Sequence, residues 1–533
     1  MTEHARAVII GGGVAGCSVA YHLTARGWRN VVLVERAELT SGSTFHAAGL
    51  VGQLRSSVAL TRLMMWSVEC YRRLAEETGR DPGWHEVGSL RLASSAERIA
   101  DLRRQTGWAK TFGLPLEEVS PEEAVKLFPV MSLDGVHGAV YLPTDGHVDP
   151  GGLAAALADG ARRRGASIRT GTRVLGITVK DGCVHEVQTD AGSIRTEVVV
   201  SAAGMWAPQI GRMVGVTIPL VPVLHQYLTT KPIDGVHPRM PTMRDPDLLD
   251  YFREEVGGLV VGGWERNPVP WGLDGIPADF NNRLVPPDWE QFAPLMENAA
   301  RRIPVLASAE IVRLIHGPEA FTPDGEFILG EAPEVTGFFV AAGFCAHGIA
   351  GAGGAGRIVA DWIVDGDPGL DVWQMDLRRF GLEARSRDVV RDRSCDIYSK
   401  YYDIHYPGEE REAGRNLRLS PVYPRLRELE AVFGEKAGWE RPNWFESNAA
   451  AGDERRRPRG WAGRHWSPAI EAEHVGTRER AGLFDETSFS KFEVMGPGAL
   501  ALLQRLCDND VEKSVGTVTY TSMLNRRGGI ECD

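Results

Sequence analysis

The amino-acid sequence predicts an α/β fold in which a sheet of parallel strands is interleaved with an antiparallel sheet, followed by a partial α+β domain. The chain opens, from Arg6 on, with an apolar strand, a glycine turn and a helix pattern. A second apolar strand, which runs into a glycine-rich helix start, begins at Gly337. Between these units, residues 218 to 265 alternate apolar and polar side chains around His225 and Tyr227, as half-buried strands do.

Composition and charge exclude several classes of protein. A chain of 533 residues is too long for one ordinary domain. The net charge of −12 and the absence of a basic block argue against a nucleic-acid partner. No apolar run reaches the roughly 18 residues that span a membrane. No leader precedes the first strand, and the seven cysteines are scattered without C-x-x-C spacing. We therefore expect a cytoplasmic protein with reduced thiols and no disulfide framework or metal site.

The first glycine turn has the spacing Gly11-x-Gly13-x-x-Gly16 and joins the first strand to a helix that begins at Val14. Gly11 permits the tight turn, Gly13 lets the backbone approach a pyrophosphate, and Gly16 lets the helix pack closely on the strand. The helix start offers unpaired N–H groups to phosphates. Glu35 ends the next strand, where an acidic side chain binds ribose hydroxyls. This context predicts a Rossmann-like dinucleotide site, and its place at the start of the chain is typical of FAD enzymes.

Two further segments complete the predicted FAD site. Residues 197 to 204 form a buried strand that runs into a glycine turn and Trp206, and Val174 is placed for main-chain contact with adenine. The second glycine-rich turn, at residues 343 to 356, opens a helix whose N-terminus can stabilise reduced flavin through its dipole. The residues predicted to contact FAD are Gly11, Gly13, Val14, Ala15, Gly16, Glu35, Arg36, Ser43, Thr44, His46, Ala47, Val174, Gly204, Trp206, Gly343, His347, Gly348 and Ile349.

The loop from Ser41 to Leu50 contains small polar residues and one imidazole, that of His46. In a flavoenzyme this segment passes the isoalloxazine ring, and a histidine nitrogen can attack the 8α-methyl group of oxidised flavin to form a permanent bond. The alternative is an ordinary loop histidine, which the loop by itself favours. His225 is a base suited to neutral pH, and the phenol of Tyr251 can hydrogen-bond a substrate, but each taken singly is more often structural than catalytic.

Several motifs together resemble one family. They are GGGVAG and GSTFHAAGL near the start, HQYLTT, DYFRE and GGWE in the strand-rich region, GPEAFTPDG, LGEAP and VADWI after it, and YYDIHYP, GEKAGWERPNWF, AGLFDETSFSKFEV and YTSMLNRRGGIECD in the tail. Over essentially all of its length, the chain resembles the dimethylglycine/sarcosine dehydrogenase group of D-amino-acid-oxidase-like flavoproteins. The resemblance implies a glutathione-reductase-type FAD domain and a tail that begins a folate-binding domain similar to the glycine-cleavage T-protein.

The resemblance also implies domain boundaries. They are 1–380 for the FAD-dependent oxidoreductase, with FAD-binding parts at about 1–85, 145–217 and 315–375 and substrate parts at about 86–144 and 218–314, then 381–459 for a central or linker domain and 460–533 for the first part of the folate-binding, aminomethyltransferase-like domain. Within this last part, the sequence pattern predicts a helix, a turn, a strand and a second helix.

The resemblance assigns roles to individual residues. His46 matches the histidine that bonds covalently to FAD, although Phe45 stands where the family usually has tryptophan. His225 and Tyr251 match the active-site histidine and tyrosine. The implied reaction oxidises an N-methyl amine to an iminium, with the hydride passing to the flavin. His225 would tune the protonation of the amine and Tyr251 would hold the substrate.

A substrate carboxylate would also need a cation. Arg55 and Arg244 are candidates, and either can equally be a surface arginine. Full-length relatives pass the one-carbon unit to tetrahydrofolate, and Tyr520 and Asp533 match positions on the folate side. Because most of that pocket would lie beyond the last residue, we expect poor folate binding. An electron-transfer flavoprotein is a candidate partner.

Three alternatives stay open at this point. The first is another amine or amino-acid oxidase on the same scaffold. The second is a non-catalytic regulatory homologue. His46 argues against this alternative, because a covalent flavin is hard to explain in a protein without catalytic activity. The third is a truncated, unstable fragment. Oxidase and dehydrogenase activities are not distinguished by any motif in the sequence.

Overall fold

The computed structural model describes residues 3–525 and 528–533. The chain forms two compact units. The first unit extends to Leu417 and includes Glu435–Gly438 and Arg457–Trp466, and the second contains Arg418–Gly434, Trp439–Arg456 and Ser467–Asp533. Within the described residues, no helix combines the length and the apolar character that crossing a bilayer requires.

The helices are spread along the whole chain. In chain order they are α1 (Val14–Ala25), α2 (Val58–Thr78), α3 (Ala96–Lys110), α4 (Pro121–Leu127), α5 (Pro150–Arg163), α6 (Ala207–Met213), α7 (Trp289–Arg302), α8 (Gly348–Asp365), α9 (Arg387–Ser399), α10 (Tyr423–Glu428), α11 (Pro468–Glu479) and α12 (Ala499–Leu506).

The strands are mostly short. In chain order they are β1 (Glu3–His4), β2 (Ala7–Ile10), β3 (Val31–Val34), β4 (Leu50–Val51), β5 (Trp84–His85), β6 (Ser89–Ala93), β7 (Glu117–Val119), β8 (Gly138–Leu142), β9 (Gly146–Val148), β10 (Ser167–Arg169), β11 (Val174–Lys180), β12 (Cys183–Thr189), β13 (Gly192–Arg195), β14 (Val198–Ser201), β15 (Val221–Thr230), β16 (Thr242–Asp245), β17 (Asp250–Glu255), β18 (Gly258–Gly263), β19 (Ile311–Phe321), β20 (Ile328–Glu331), β21 (Phe338–Ala342), β22 (Ala431–Lys436), β23 (Trp439–Phe445), β24 (Met523–Leu524) and β25 (Ile530–Cys532).

The first sheet has the strand order β10-β3-β2-β14-β21-β20 and is parallel except at its β20 edge. Its central strands are continuous apolar runs and are fully buried, as expected of a parallel sheet that is covered on both faces. The carboxyl ends of β2, β3, β14 and β21 lie on the same edge of this sheet. In doubly wound folds the ligand binds at that edge, so the predicted glycine turns meet where a dinucleotide is expected.

The second sheet has the strand order β19-β15-β18-β17-β16-β6-β8-β7. It is antiparallel except for the β16–β6 pair, and its strands come from residues 89–142 and 221–321. It is therefore interleaved in sequence with the parallel sheet, which confirms the predicted fold class. Because residues directly opposite each other share a face, one row of side chains crosses this sheet. That row contains Arg91, Arg244, Tyr251, Gly262 and Tyr227.

The second unit contains α11 and α12, with residues 480–498 between them in irregular structure. The strand predicted in this interval is therefore wrong. Phe489 and Phe492 lie there with 51% and 87% of their surface exposed. A strand needs a partner for its backbone hydrogen bonds, and among the described residues no segment pairs with this one.

Candidate functional site

A cleft of about 1400 Å³ opens at the carboxyl edge of the parallel sheet, where the two glycine-rich turns meet. Most of the predicted FAD contacts line it. They are Gly11, Gly13, Val14, Ala15, Glu35, Arg36, Ser43, Thr44, Ala47, Val174, Gly204, Trp206, Gly343, Gly348 and Ile349. Gly16, His46 and His347 are the predicted contacts that are not part of this lining.

The chemistry of the cleft fits a dinucleotide. Neither Gly13 nor His347, the N-cap residues of α1 and α8, caps its helix with a side chain, and both helix starts line the cleft. Uncapped helix N-termini attract phosphate and other negative groups. The indole Nε1 of Trp206 is buried there without a hydrogen-bond partner among the described residues. The cleft thus offers two helix N-termini and one unpartnered indole N–H to a ligand.

The carboxylate of Glu35 is held in place by two backbone groups. It accepts hydrogen bonds from the N–H of Gly12 at 2.7 Å and from that of Ala37 at 2.9 Å. Gly16 lies behind the turn, where an added Cβ atom would come within 2.0 Å of the carbonyl oxygen of Gly11. Only glycine permits this approach, so Gly16 supports the turn from outside the cleft.

His46 occupies the end of a short 3-10 turn, Ser43–His46. Its imidazole is buried against Gly317, and its Nε2 has no partner among the described residues. Burial lowers its pKa to about 4, so the ring is neutral at pH 7. The flanking residues Thr44 and Ala47 line the cleft. A neutral, unpartnered imidazole therefore lies immediately behind the wall of the cleft.

His225 and Tyr251, which are 26 positions apart in sequence, are directly joined. The Nε2 of His225 lies 2.8 Å from the phenolic oxygen of Tyr251, and its Nδ1 lies 2.7 Å from that of Tyr398. Tyr398 in turn donates a hydrogen bond to the carboxylate of Glu265. All four side chains are buried. The result is a chain of hydrogen bonds that runs from Tyr251 through the imidazole to a carboxyl group.

Burial shifts the pKa of every member of this chain. It lowers the pKa of His225 to about 3 and raises that of Glu265 to about 7. It also raises the pKa of both tyrosines well above the usual value. The imidazole is therefore neutral at pH 7 and both phenols keep their protons, while Glu265 changes its charge near neutrality.

A second cavity of about 2350 Å³ lies in the first unit, and His347, Tyr401 and Tyr402 form part of its wall. His347 contacts the phenolic oxygen of Tyr401 through Nε2 at 2.6 Å. Tyr401 stacks on Trp264 at 4.0 Å between ring centres, and Trp264 lies 5.3 Å from the ring of His225. This stack of aromatic rings connects the second cavity to the His225 cluster.

The two arginines suggested as carboxylate ligands are not on the surface. Arg55 and Arg244 both line the second cavity, and so does Arg91, which the sequence did not single out. Burial lowers the pKa of Arg55 and of Arg91 below the usual value, although both stay charged. The cavity therefore contains three inward-facing cations.

Sequence reasoning also missed Tyr398, Glu265 and Glu319. Glu265 ends the GGWE motif and Tyr398 lies shortly before the YYD run, but nothing in the sequence gives either residue a role. Glu319 lines the cleft, and burial raises its pKa to about 7. Only the tertiary structure could bring Tyr398 to His225, because 173 positions separate them in sequence.

Comparison with known families divides the chain into three consecutive matches. Residues 6–362 match the family described as FAD dependent oxidoreductase, and residues 365–420 match the FAD dependent oxidoreductase central domain. Residues 422–533 match the GCVT N-terminal domain. The first match covers both the parallel sheet and the eight-stranded sheet.

Individual relatives are similar over nearly the whole chain. The 4-methylaminobutanoate oxidase (formaldehyde-forming) of Paenarthrobacter nicotinovorans is 37% identical over 100% of this chain and 64% of its own length. The mitochondrial sarcosine dehydrogenase of Mus musculus is 38% identical over 99% and 60%. The mitochondrial pyruvate dehydrogenase phosphatase regulatory subunit of Mus musculus is 37% identical over 100% and 61%. The chain thus spans about six tenths of the length of these curated relatives.

Solved structures resemble the FAD-binding part of the chain. The crystal structure of L-proline dehydrogenase from P. horikoshii superposes with a TM-score of 0.64 and 30% identity, over 70% of this chain and 97% of that one. The family match, the relatives and this structure agree with the geometry of the cleft. The chain belongs to the FAD dependent oxidoreductase family.

Proposed function

We propose that this protein oxidises a small N-methyl amino acid, of the dimethylglycine or sarcosine class, with FAD bound in the cleft. Bound FAD supplies the acceptor for the hydride. The observation that carries the proposal is the buried contact of His225 with Tyr251, on the sheet that faces the cleft region. An amine gives up hydride only in its neutral form, and a buried site lined by uncharged groups favours that form of the substrate nitrogen.

His225 is suited to such a site because of the hydrogen bonds on both sides of its ring. When Glu265 is ionised, the proton of Tyr398 is directed at that carboxylate, so the oxygen of Tyr398 accepts from the Nδ1–H of His225. The Nε2 of His225 then carries a lone pair that accepts the proton of Tyr251. The same lone pair can accept a hydrogen bond from an N–H group of a substrate that displaces the hydroxyl of Tyr251.

Protonation of Glu265 reverses this chain. A protonated Glu265 donates to Tyr398, Tyr398 donates to Nδ1, and Nε2 of His225 then carries the proton. In that tautomer His225 cannot accept from the substrate. Because burial raises the pKa of Glu265 to about 7, the active tautomer forms as pH rises through neutrality.

We also propose that His46 bonds covalently to the flavin. A histidine nitrogen must be neutral and free of hydrogen bonds to act as a nucleophile, and the Nε2 of His46 meets both conditions. Its neighbours Thr44 and Ala47 line the cleft, so the ring lies close to the space that the flavin would occupy. The other FAD contacts named from the sequence belong to the same proposal.

Poor folate binding, expected from the sequence, stays a prediction, and so does the electron-transfer flavoprotein as a partner. Poor affinity for tetrahydrofolate is supported by Tyr520, which is 77% exposed and donates its hydroxyl proton to Asp533 at 3.0 Å. A titration that gave micromolar affinity would contradict it.

The proposal of an electron-transfer flavoprotein as the electron acceptor rests on the family resemblance alone. The rates of flavin reoxidation by such a protein and by oxygen would distinguish the two acceptors.

The proposed reaction is tested by anaerobic stopped-flow reduction of the purified yellow protein. We expect dimethylglycine or sarcosine to bleach the flavin. Glycine betaine is the matched control, because its quaternary nitrogen has no lone pair to drive hydride loss, so it must leave the colour unchanged. D-Alanine tests for a general amino-acid oxidase.

The second candidate function is a regulatory subunit without redox activity, and the regulatory relative described above favours it. Bleaching by any N-methyl amine would exclude it. A stable protein that binds FAD but is bleached by none of these compounds would favour it instead.

A further inference from the structure

Three arginines face the second cavity from three different parts of the first unit. Arg55 follows β4, Arg91 lies on β6 and Arg244 lies on β16. Arg91 and Arg244 are directly opposite each other in the sheet, so their side chains share a face. A Cβ atom placed on Gly52 would lie 3.9 Å from Nη1 of Arg55 and 3.9 Å from Nη1 of Arg244. The guanidinium groups of Arg55 and Arg244 therefore converge on one region of the cavity, and Arg91 lies beside Arg244 in the sheet.

None of these three arginines forms an ion pair within the part of the chain that the structure describes. Arg91 donates to the neutral side chain of Gln105 at 2.6 Å. Arg55 donates weakly to the backbone oxygen of Leu54 at 3.5 Å, and its buried Nε has no partner. The guanidinium group of Arg244 forms no hydrogen bond with another described residue. Among the described residues, none of the three guanidinium groups is thus within ion-pair distance of a carboxylate.

Most acids in the wall of the cavity are already engaged with other cations, as Asp101 is with Arg98, Asp324 with Arg379, Asp396 with Lys400 and Asp403 with Arg266. Glu326 also lines the cavity, but burial raises its pKa to about 7. The carboxylate of Asp145 lies 3.3 Å from the same Cβ position on Gly52 and accepts hydrogen bonds from Ser89 and Gln53, so one acid lies beside Arg55 and Arg244. Partly buried cations that outnumber their counter-ions are costly, so this arrangement is suited to a ligand that brings negative charge.

The arginines lie in line with the proposed reaction centre. Arg244 is directly opposite Tyr251, and Arg91 is one strand further along the same row. Neighbouring strands are about 4.8 Å apart, so the row places the two arginines about 5 and 10 Å from the Tyr251 strand. A substrate whose amine lies at Tyr251 and His225 would meet Arg244 with a nearby negative group and Arg91 with a more distant one.

We infer that the substrate of this site carries two carboxylates, as in an N-methylated amino dicarboxylic acid, and that Arg55, Arg91 and Arg244 bind them. This inference rests on the proposed oxidation of an N-methyl amine and assigns it a dicarboxylate substrate in place of the monocarboxylate class named above. Together with Asp145, a single substrate carboxylate would leave one of the three arginines without a counter-charge in the cavity. A second carboxylate neutralises it, and the planar guanidinium group can bind each carboxylate through two hydrogen bonds.

The first test compares substrates on the flavin-loaded protein under anaerobic conditions. N-methylaspartate, N-methylglutamate and N-methyliminodiacetate are titrated beside sarcosine and dimethylglycine, and flavin bleaching gives an apparent Kd for each. We expect at least one dicarboxylate to bind about tenfold or more tightly than both monocarboxylates. Tighter binding of sarcosine or dimethylglycine than of every dicarboxylate would overturn the inference and leave the proposed function intact.

Substitution of single arginines tests where the second carboxylate binds. Arg91→Gln should weaken dicarboxylate binding about tenfold or more and change sarcosine binding less than about threefold. Arg104→Gln is the matched control, since Arg104 lines the rim of the same cavity but is 61% exposed and lies 3.7 Å from Asp101. If Arg91→Gln does not fold, Arg244→Gln serves the same purpose. Equal losses for both substrate classes would contradict a separate second carboxylate site.

An unreactive pair of ligands separates the two proposals. Thiodiacetate and methylthioacetate replace the amine with sulfur, and the rise in Tm of the full chain measures their binding without any turnover. We expect thiodiacetate to raise Tm more, and Arg91→Gln to abolish the difference. If no N-methyl amine bleaches the flavin but this difference is observed, the proposed reaction fails and the dicarboxylate site stands. If the two ligands shift Tm equally, the site fails.

Discussion

Gly317 leaves open the space that the imidazole of His46 occupies. A Cβ atom on Gly317 would lie 2.7 Å from Cε1 and 2.8 Å from each ring nitrogen of His46. Gly317 is also the residue directly opposite His225 in the sheet. The proposed attachment residue therefore packs against Gly317, and the proposed active-site histidine lies directly opposite it in the sheet.

Gly317→Ala should displace the His46 ring and lower the fraction of covalently bound flavin, at a cost of about 1–3 kcal/mol in stability from overpacking. Yellow colour retained in the acid precipitate measures the covalent fraction. Gly107→Ala is the control, because a Cβ atom there meets nothing within 4 Å and alanine favours a helix. An unchanged covalent fraction in Gly317→Ala would show that the position of the ring does not limit attachment.

His46→Ala should abolish covalent attachment while leaving FAD bound in the cleft. The carbon side chain of alanine has no nucleophilic nitrogen, and the helix starts that hold the dinucleotide are untouched. His147→Ala is matched to it, since His147 is also buried with an unpartnered Nε2 and burial lowers its pKa to about 3. Colour that stays in the precipitate of His46→Ala would exclude His46 as the attachment site.

Glu265→Gln should change the dependence of stability on pH. The pKa of Glu265 is about 7 in the folded protein and about 4.5 when unfolded, so its contribution is fully present below pH 4.5 and is lost as pH rises to 7. One pKa unit corresponds to about 1.4 kcal/mol, so the loss amounts to up to about 3 kcal/mol in the wild type.

The glutamine variant cannot ionise. Relative to the wild type it should therefore become more stable between pH 5 and pH 8, as measured by thermal or urea unfolding at several pH values. The exposed Glu334 provides a control substitution, Glu334→Gln, which should show no such trend. The same Glu265→Gln variant should lose any rise in the rate of flavin reduction near pH 7, and a retained rise would contradict the role of Glu265 in setting the His225 tautomer.

Tyr398→Phe should slow flavin reduction without weakening substrate binding. Phenylalanine removes the hydrogen bond to Nδ1 of His225, so the tautomer is no longer set, and the loss of one buried hydrogen bond corresponds to about tenfold or more in rate. Stopped-flow titration gives the limiting rate and Kd separately. Tyr406→Phe, on the rim of the second cavity, should change neither. A raised Kd with an unchanged limiting rate would place Tyr398 in substrate binding instead.

Local patterns in the sequence were sufficient for the nucleotide-binding part. The strand, glycine turn and helix around Gly11 to Gly16 lie within one short segment, and steric contacts within that segment explain each glycine. The alternation of apolar and polar side chains around His225 similarly predicted a strand, and β15 forms there, although it is buried at nearly every position. The strand predicted between α11 and α12 does not form, because residues 480–498 have no neighbouring strand to pair with among the described residues.

Local sequence patterns could not show which side chains lie next to each other in the folded protein. Arg55 and Arg244 were candidates only because arginine can bind a carboxylate, and Arg91 was not among them. The neighbouring sequence does not distinguish an arginine in a cavity from one on the surface. The partners of His225 come from β17 and α9, which are far from it along the chain. Their roles stay predictions until the variants above are measured.

By itself, the sequence determined that a dinucleotide-binding turn opens the chain and that a second glycine-rich helix start follows far downstream, since backbone sterics act over a few residues. Only the tertiary structure decided which side chains meet at the reaction centre. Sheet register aligns Arg91, Arg244 and Tyr251 in one row, and burial then shifts the pKa of Glu265 and His225. Both effects depend on neighbours in space, which the order of residues along the chain does not display.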